Sequence, residues 1–419
     1  MIKYIQECRL CHHKELVGVL TLGKQHVQGA FITKNNHYPP KRTLTNSIVR
    51  CDVKSGGCGL VQSSITVAPE ILFSSYFYRS GVNESMRSHL KNVVDQLLVY
   101  NPNPKRVLDI AANDGTLLLN YPLATEKIGI DPNNIAKSDP ANNITVINDF
   151  FPTIHAMSEG NDFITALAVL YDVSDPVDFV ASAMGILSDE GVFCFEVMYL
   201  PSIINSLSWD TFLFEHLTHW SLSTIERLVQ ESGGKLINAI LTPTNGGSIL
   251  VFVTRQHNYK YDTQENKDRL LMLKNAEFDM VLDDEKVYDD FRYRVYKHQD
   301  KLREALKALK HDGKKICLYG VSTKANVIIQ GANLEEFFSY GIERSEEKVG
   351  GSTLWGLPIK SEEEARLDAD KDTVWFLGPY FFWENTIKRE AEFLKKGGQI
   401  LVPLPQIRLI SSDGVATMV

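Results

Sequence analysis

The stretch VLDIAANDGTLLLN (107–120) decides the fold. A short apolar run reads as a buried strand, carries Asp109 near its end, and runs into a turn of small residues, Ala111, Asn113 and Gly115, from which a helix is expected to start. Apolar runs of strand length recur at KIGID (127–131), ITVIND (144–149), FITALAVLYDV (163–173), GVFCFEVMYL (191–200) and SILVFVTRQ (248–256), with amphipathic segments between them. This rhythm predicts a mostly parallel sheet covered on both faces. In such folds a ligand sits beyond the carboxyl ends of the strands, and acids stand there repeatedly. Asp131 ends the second strand 22 residues after Asp109, near the spacing at which a carboxylate receives ribose hydroxyls, and Asn148-Asp149 end the third. The turn has alanines where a G-x-G-x-x-G loop has glycines, and it lacks the G-K-S/T of a triphosphate site. The pattern suits an adenosyl ligand without a pyrophosphate. S-adenosylmethionine, with a sulfonium and an amino-acid tail, fits acidic turns; the alternative is a strand with incidental acids.

Four of the six cysteines precede this unit: Cys8, Cys11, Cys51 and Cys58, as C-x2-C, 39 residues, then C-x6-C. Paired cysteines on two turns supply the four thiolates of a structural zinc, closed to any substrate. His12 and His13 are unnecessary to such a site and are expected to be exposed. ESMRSHLKNVVDQLLVY (84–100) has helical apolar spacing, with Asn83 as the candidate N-cap. Residues 258–312 read as charged helices. From 314 a second strand-helix unit begins with KKICLYGVSTKANVII. It has one glycine at the turn, Gly320, short of the three of a dinucleotide loop. A helix start carrying Ser322, Thr323 and Lys324 can instead receive a substrate's diphosphate.

The fold class is therefore α/β: two Rossmann-like domains and a small zinc-binding domain. The expected domains are residues 1–65, residues 66–257 with a leading helix, and residues 258–419 with a helical connector. At 44% hydrophobic and 23% charged residues the chain is neither disordered nor coiled coil. Its net charge of -8 argues against nucleic acid as a partner. No run is long and apolar enough for a membrane span, and the N-terminus lacks a secretory core, so a cytoplasmic location is expected.

Blocks of sequence in order carry a resemblance. CGLVQ (58–62), YRSGVNESMRSHL (78–90), VLDIAANDGTLL, GIDP, NDFF (148–151), ITALAVLYDVSDP (164–176), YGVSTKANVIIQ (319–330), IERSEEKVG (342–350) and REAEFLKKGGQILVPLP (389–405) resemble the sugar-nucleotide C-methyltransferase family, whose members add a methyl carbon to 4-keto deoxysugars. The resemblance implies that Asp109 and Gly115, with Ala111 and Asn113 in the turn, shape the pocket for the methionine tail. It implies that Asp131 holds the ribose, that Asp149 and Phe150 flank the adenine, and that Val169 to Tyr171 line the methyl side. WDTFLFEHLTHWSL (209–222) resembles the family's D-T-x-x-H-E-H-L-x-Y-Y-S-L segment. Glu215 and His216 keep the acid and the second histidine, whereas Phe214 replaces the first histidine, and His219 and Trp220 replace two tyrosines. These departures bear on substrate identity more than on reaction type.

Methylating a carbon beside a ketone requires a base to remove its hydrogen, and neutral imidazole suits that task near pH 7. His216 is the candidate base and His219 the alternative. Glu215 can orient a base or bind a sugar hydroxyl. Tyr76, Tyr78 and Asn245 are candidate donors to the ketone oxygen. The expected function is methyl transfer from S-adenosylmethionine to a ring carbon of a nucleotide-linked 4-keto deoxysugar. The alternatives are an O- or N-methyltransferase on a related sugar and a non-catalytic nucleotide-sugar binding protein.

Overall fold

The computed structural model describes residues 2–33, 42–69, 72, 79–133, 135–156 and 158–417. Tyr76 and Tyr78 lie outside the described residues. The N-terminal strands β1 (Leu16–His26), β2 (Thr43–Cys51) and β3 (Val61–Ser63) pair antiparallel. Helix α1 (Glu84–Leu98) follows, burying Leu90, Val93, Val94 and Leu97 at helical spacing. Asn83 holds the N-cap position but makes no side-chain capping bond.

The central sheet contains β4 (Arg106–Ile110), β5 (Glu126–Ile130), β6 (Ile144–Ile147), β7 (Asn161–Leu167), β8 (Leu187–Met198), β9 (Gly234–Thr242) and β10 (Ser248–Arg255). Their order is β9-β10-β8-β7-β4-β5-β6. Neighbours are parallel except where β10 inserts antiparallel between β8 and β9. Residues 191–198 of β8 are all buried, as an interior strand covered on both faces requires. The expected helix after Gly115 is absent: a turn and a 3-10 segment at Leu118–Asn120 link β4 to β5. Pro122 disfavours helical backbone at the residue before it, so the short link closes as a turn.

Helices α2 (Gln264–Met280) and α3 (Glu285–His311) connect to a second sheet. It contains β11 (Lys315–Tyr319), β12 (Phe338–Glu343), β13 (Ile359–Ser361), β14 (Thr373–Leu377), β15 (Gln399–Val402), β16 (Arg408–Ser411) and β17 (Gly414–Thr417), in the order β13-β12-β11-β14-β15-β16-β17. Helix α4 (Thr323–Gly331) leaves β11 with Ser322 as its cap, the Ser322 hydroxyl accepting from Ala325 N–H.

The three units are sewn together by backbone. Thr218–His219, far along the chain, pairs antiparallel with Val61 and Gln62 and so becomes an edge of the N-terminal sheet. Phe31–Ile32 pairs with Ser352–Thr353 of the C-terminal unit. No helix among the described residues is long and apolar enough to cross a membrane.

Candidate active site

The sulfurs of Cys8, Cys11, Cys51 and Cys58 all lie within 4.8 Å of one another, with Cys8–Cys58 at 3.6 Å and Cys11–Cys51 at 3.5 Å. Zinc–thiolate bonds of about 2.3 Å in a tetrahedron place sulfurs about 3.8 Å apart, so the four fit the ion. N–H groups of Leu10 and Cys58 approach the Cys8 and Cys51 sulfurs at 3.4 and 3.3 Å, further favouring thiolate. His12 is exposed and bonds Glu7, while His13 is half-buried against Ser55; neither joins the cluster.

A cavity of about 610 Å³ opens at the carboxyl ends of β4, β5, β7 and β8 and is walled on its other side by the C-terminal unit. It brings together Asp109, Ala111, Asn113, Asp131, Asp149, Phe150, Val169, Tyr171, Glu215, His216, Asn245, Ser322, Thr323 and Lys324. Gly115 does not line it; with φ at +78° it shapes the turn behind. Ala111 and Ala168, at the ends of β4 and β7, also hold left-handed backbone, φ +60° and +58°. That costs alanine about 1 kcal/mol each, strain stored where the strands meet the cavity.

At the sheet end, Asp131 accepts from the Asn113 and Asn133 N–H groups, both at 2.8 Å. Asp109 accepts from the Thr165 hydroxyl at 2.6 Å, and burial pushes its carboxyl up to about 7. Burial likewise raises Asp131, and it pushes Asp172 well up, with the Glu215 charge adding to the effect. Asp172 Oδ1 is buried with no hydrogen-bond partner among the described residues. Asp149 sits outside this buried group, bonded to Thr153 and to Phe150 N–H, and partly exposed Phe150 stands beside it. Asp109, Asp131, Asp149, Asp172, Glu196 and Glu215 face a single lysine or arginine among the described lining residues, Lys324. An orphaned carboxylate oxygen and acids burdened by burial fit a cationic ligand, as the sulfonium and ammonium of S-adenosylmethionine are.

At the far end Lys324, in the first turn of α4, donates to the Asn245 carbonyl at 3.0 Å and lies 4.8 Å from the centre of the Phe381 ring. Burial lowers its pKa, and the charge of buried Asp210 opposes that shift.

Between the two ends runs the segment with Glu215 and His216. It is not a helix but an irregular stretch after a 3-10 turn at Trp209–Thr211, so His216 and His219 do not share a face. The His216 Nδ1–H donates to the Thr211 carbonyl at 2.8 Å, leaving Nε2 as the nitrogen able to accept a proton. Burial and the Lys324 charge bring its pKa down to about 3, against the opposing Thr211 bond. The Tyr171 ring lies 4.4 Å from it, centre to centre. Burial pushes Glu215 up to about 7. His219 packs on Phe212 at 4.6 Å and does not line the cavity, which removes it as a base. Phe214 packs with Ile65, Val67 and Leu72, away from the cavity.

What holds this segment comes from residues far away in the sequence. Gln28 accepts from Phe214 N–H at 3.2 Å through its side chain and from the Asn326 amide at 2.8 Å through its carbonyl, bridging the segment to α4. Arg9, beside Cys8, donates to the Ser63 and Leu217 carbonyls at 2.7 and 3.4 Å. Gly29 is wedged so tightly that a Cβ there would collide with Glu215 Oε1 and press on Thr323. In the sequence only Q-G (28–29), shortly before a stretch rich in Lys, Arg and Asn, marks this place.

Three family models match the chain in order: "Putative zinc binding domain" over residues 8–73, "Methyltransferase domain" over 82–239 and "C-methyltransferase C-terminal domain" over 243–405. The C-methyltransferase NovU of Streptomyces niveus is 23% identical, covering 99% of each chain. Solved structures similar to the central part include an S-adenosylmethionine-dependent methyltransferase from Clostridium acetobutylicum (11% identity, TM-score 0.33, 40% of this chain and 92% of that one). Magnesium protoporphyrin IX methyltransferase from Synechocystis (13%, 0.32, 41% and 79%) is another. The chain is an S-adenosylmethionine-dependent methyltransferase with a zinc-binding domain. Along its whole length it is similar to a C-methyltransferase, and the three domain models match it in this order.

Three outcomes follow. Cys51→Ser should lose most of the roughly one zinc per chain, read by metal analysis, and weaken amide-exchange protection at 217–219, because that edge is paired to the sheet the zinc anchors. Gly29→Ala should cost about 1–3 kcal/mol in urea unfolding and lower turnover tenfold or more, through displacement of Glu215. A carboxyl raised from 4.5 to about 7 on folding contributes stability below pH 4.5 that is lost as pH rises through 7. Glu215→Gln should therefore gain up to about 3 kcal/mol relative to wild type at pH 8 compared with pH 4, measured by denaturant titration at both.

Proposed function

We propose that this enzyme methylates a ring carbon next to the ketone of a nucleotide-linked 4-keto deoxysugar. The observation that carries the reading is the polarity of one cavity: an acidic end suited to a cationic methyl donor, a lysine at a helix start suited to a diphosphate, and an acid–histidine pair between them. The 99% coverage by a C-methyltransferase relative supports carbon as the target.

Asp109, Asp131 and Asp172 would hold the methyl donor, with Asp149 and Phe150 at its adenine. Bound S-adenosylmethionine supplies an electrophilic methyl, whose bond to sulfur breaks as the carbon–carbon bond forms. Ser322, Thr323 and Lys324 would receive the diphosphate and Asn245 would contact the sugar. An anion at Lys324 offsets the charge that depresses His216, so substrate arrival raises the basicity of the ring. His216 Nε2 then takes the hydrogen on the carbon beside the ketone as a proton, and the bonding pair becomes an enolate. The Thr211 carbonyl keeps the Nδ1–H tautomer throughout. Glu215, ionised above about pH 7, stabilises the imidazolium so formed.

Incubation with S-adenosylhomocysteine and a nucleotide 4-keto-6-deoxyhexose in deuterated water should exchange the hydrogen beside the ketone, read by NMR. His216→Asn should slow both exchange and methylation about 100-fold or more while still binding the donor. Absence of exchange and of any C-methyl product with such sugars would refute the reading.

A further inference from the structure

A second acid–histidine pair lines the same cavity, and no step above uses it. His89 lies on α1 between Met86 and Leu90, which also line the cavity. Its Nε2 stands 2.8 Å from Glu196 Oε2, near the end of β8. The Glu196 side chain is 3% exposed, and its other oxygen accepts from the Thr242 hydroxyl at 2.5 Å. With both oxygens engaged, Glu196 orients its partner rather than reaching a ligand. Facing a carboxylate, Nε2 carries its hydrogen, which leaves Nδ1 as the nitrogen for a ligand. The Thr244 hydroxyl is 3.3 Å from both ring nitrogens, a long contact that a ligand can displace. Carboxylate, imidazole and an open nitrogen in series form the arrangement by which enzymes aim an acid–base group.

The pair also stands at the right place. Glu196 is in register with Leu167, and its carbonyl accepts from Ala168 N–H at 3.0 Å; both Leu167 and Ala168 line the cavity. Thr244 precedes Asn245, whose carbonyl takes the Lys324 bond. His89 is thus held by the central sheet and its leading helix, whereas His216 is held by the segment bound to the N-terminal sheet, and both line one cavity.

We propose that His89, positioned by Glu196, is a second catalytic residue, the donor to the ketone oxygen. This rests on the keto-sugar reading above. As His216 takes the carbon-bound proton, the C–H pair forms a carbon–carbon double bond and the carbonyl π pair moves onto oxygen. His89 enters this step as an imidazolium, its Nε2–H on Glu196 and its Nδ1–H toward the substrate; the oxygen takes the Nδ1 proton, leaving a neutral His89 and an enol. When the carbon captures the methyl, the oxygen returns its proton to His89 and the ketone re-forms. One proton leaves per turnover, from His216.

The test is the same solvent exchange, run on the full chain with S-adenosylhomocysteine so that enolisation is read without methyl transfer. His89→Gln should slow exchange and methylation together by at least about 100-fold, with S-adenosylhomocysteine affinity by calorimetry within threefold of wild type. Glu196→Gln, altering a positioning residue, should lower kcat about tenfold with the sugar KM within twofold. Exchange by His89→Gln within threefold of wild type overturns the assignment. Should that variant not fold, an unchanged kcat in Glu196→Gln overturns it instead. If wild type neither exchanges nor methylates the sugar, the keto-sugar reading fails and this assignment falls with it, an outcome distinct from an active wild type with an equally active His89→Gln.

Discussion

The site depends on a short piece of β-pairing. Thr218–His219 hydrogen-bonds to Val61 and Gln62 of the zinc-bearing unit, Ser63 N–H donates to the Leu217 carbonyl at 2.9 Å, and Arg9 reaches both strands. These bonds decide where Glu215 and His216 stand, because the residues themselves lie on irregular backbone with no helix or strand of their own. Gln28 ties the same segment to α4 and hence to Lys324. The zinc is remote from the chemistry, yet the fold it secures is the frame from which the central and C-terminal walls are hung.

Electrostatics then define what the cavity accepts. Asp109, Asp172 and Glu215 are all pushed up by burial, and Asp109 and Glu215 sit near 7. A cavity that leaves carboxyls so burdened gains most by admitting a cation, and Lys324 at the opposite end directs the anion of a second ligand away from them. His216 responds to Lys324 in the opposite sense, losing basicity while that charge is unbalanced. Donor, acceptor and base are in this way coupled through charge.

Much of this was legible in the sequence, for identifiable reasons. Asp109, Asp131 and Asp149 were readable because strand ends in a parallel sheet are converging points, and spacing alone places acids there. The cysteines were readable because C-x2-C has few other uses. Helix α1 showed in its apolar period, although Asn83 does not cap it with its side chain. The turn after Gly115 was misread as a helix start, since local apolar content outweighed the effect of Pro122. His219 was open as a base until packing turned it onto Phe212. Strand β9, polar at Lys235 and Asn238, carried no alternation clear enough to notice. Gln28, Gly29, Asp172 and the His89–Glu196 pair were illegible because nothing local marks them; each matters through a partner distant in sequence.

The pairing of residues 61–62 with 218–219 joins segments separated by five of the seven strands of the central sheet. On a ribosome the zinc unit emerges early, and its open edge must wait until those five strands and residues 218–219 have been made. Long-range closures of this kind form late and slowly. The working geometry of Glu215 and His216, which lie on irregular backbone, therefore depends on a contact that closes late, after the metal cluster's own strands are in place.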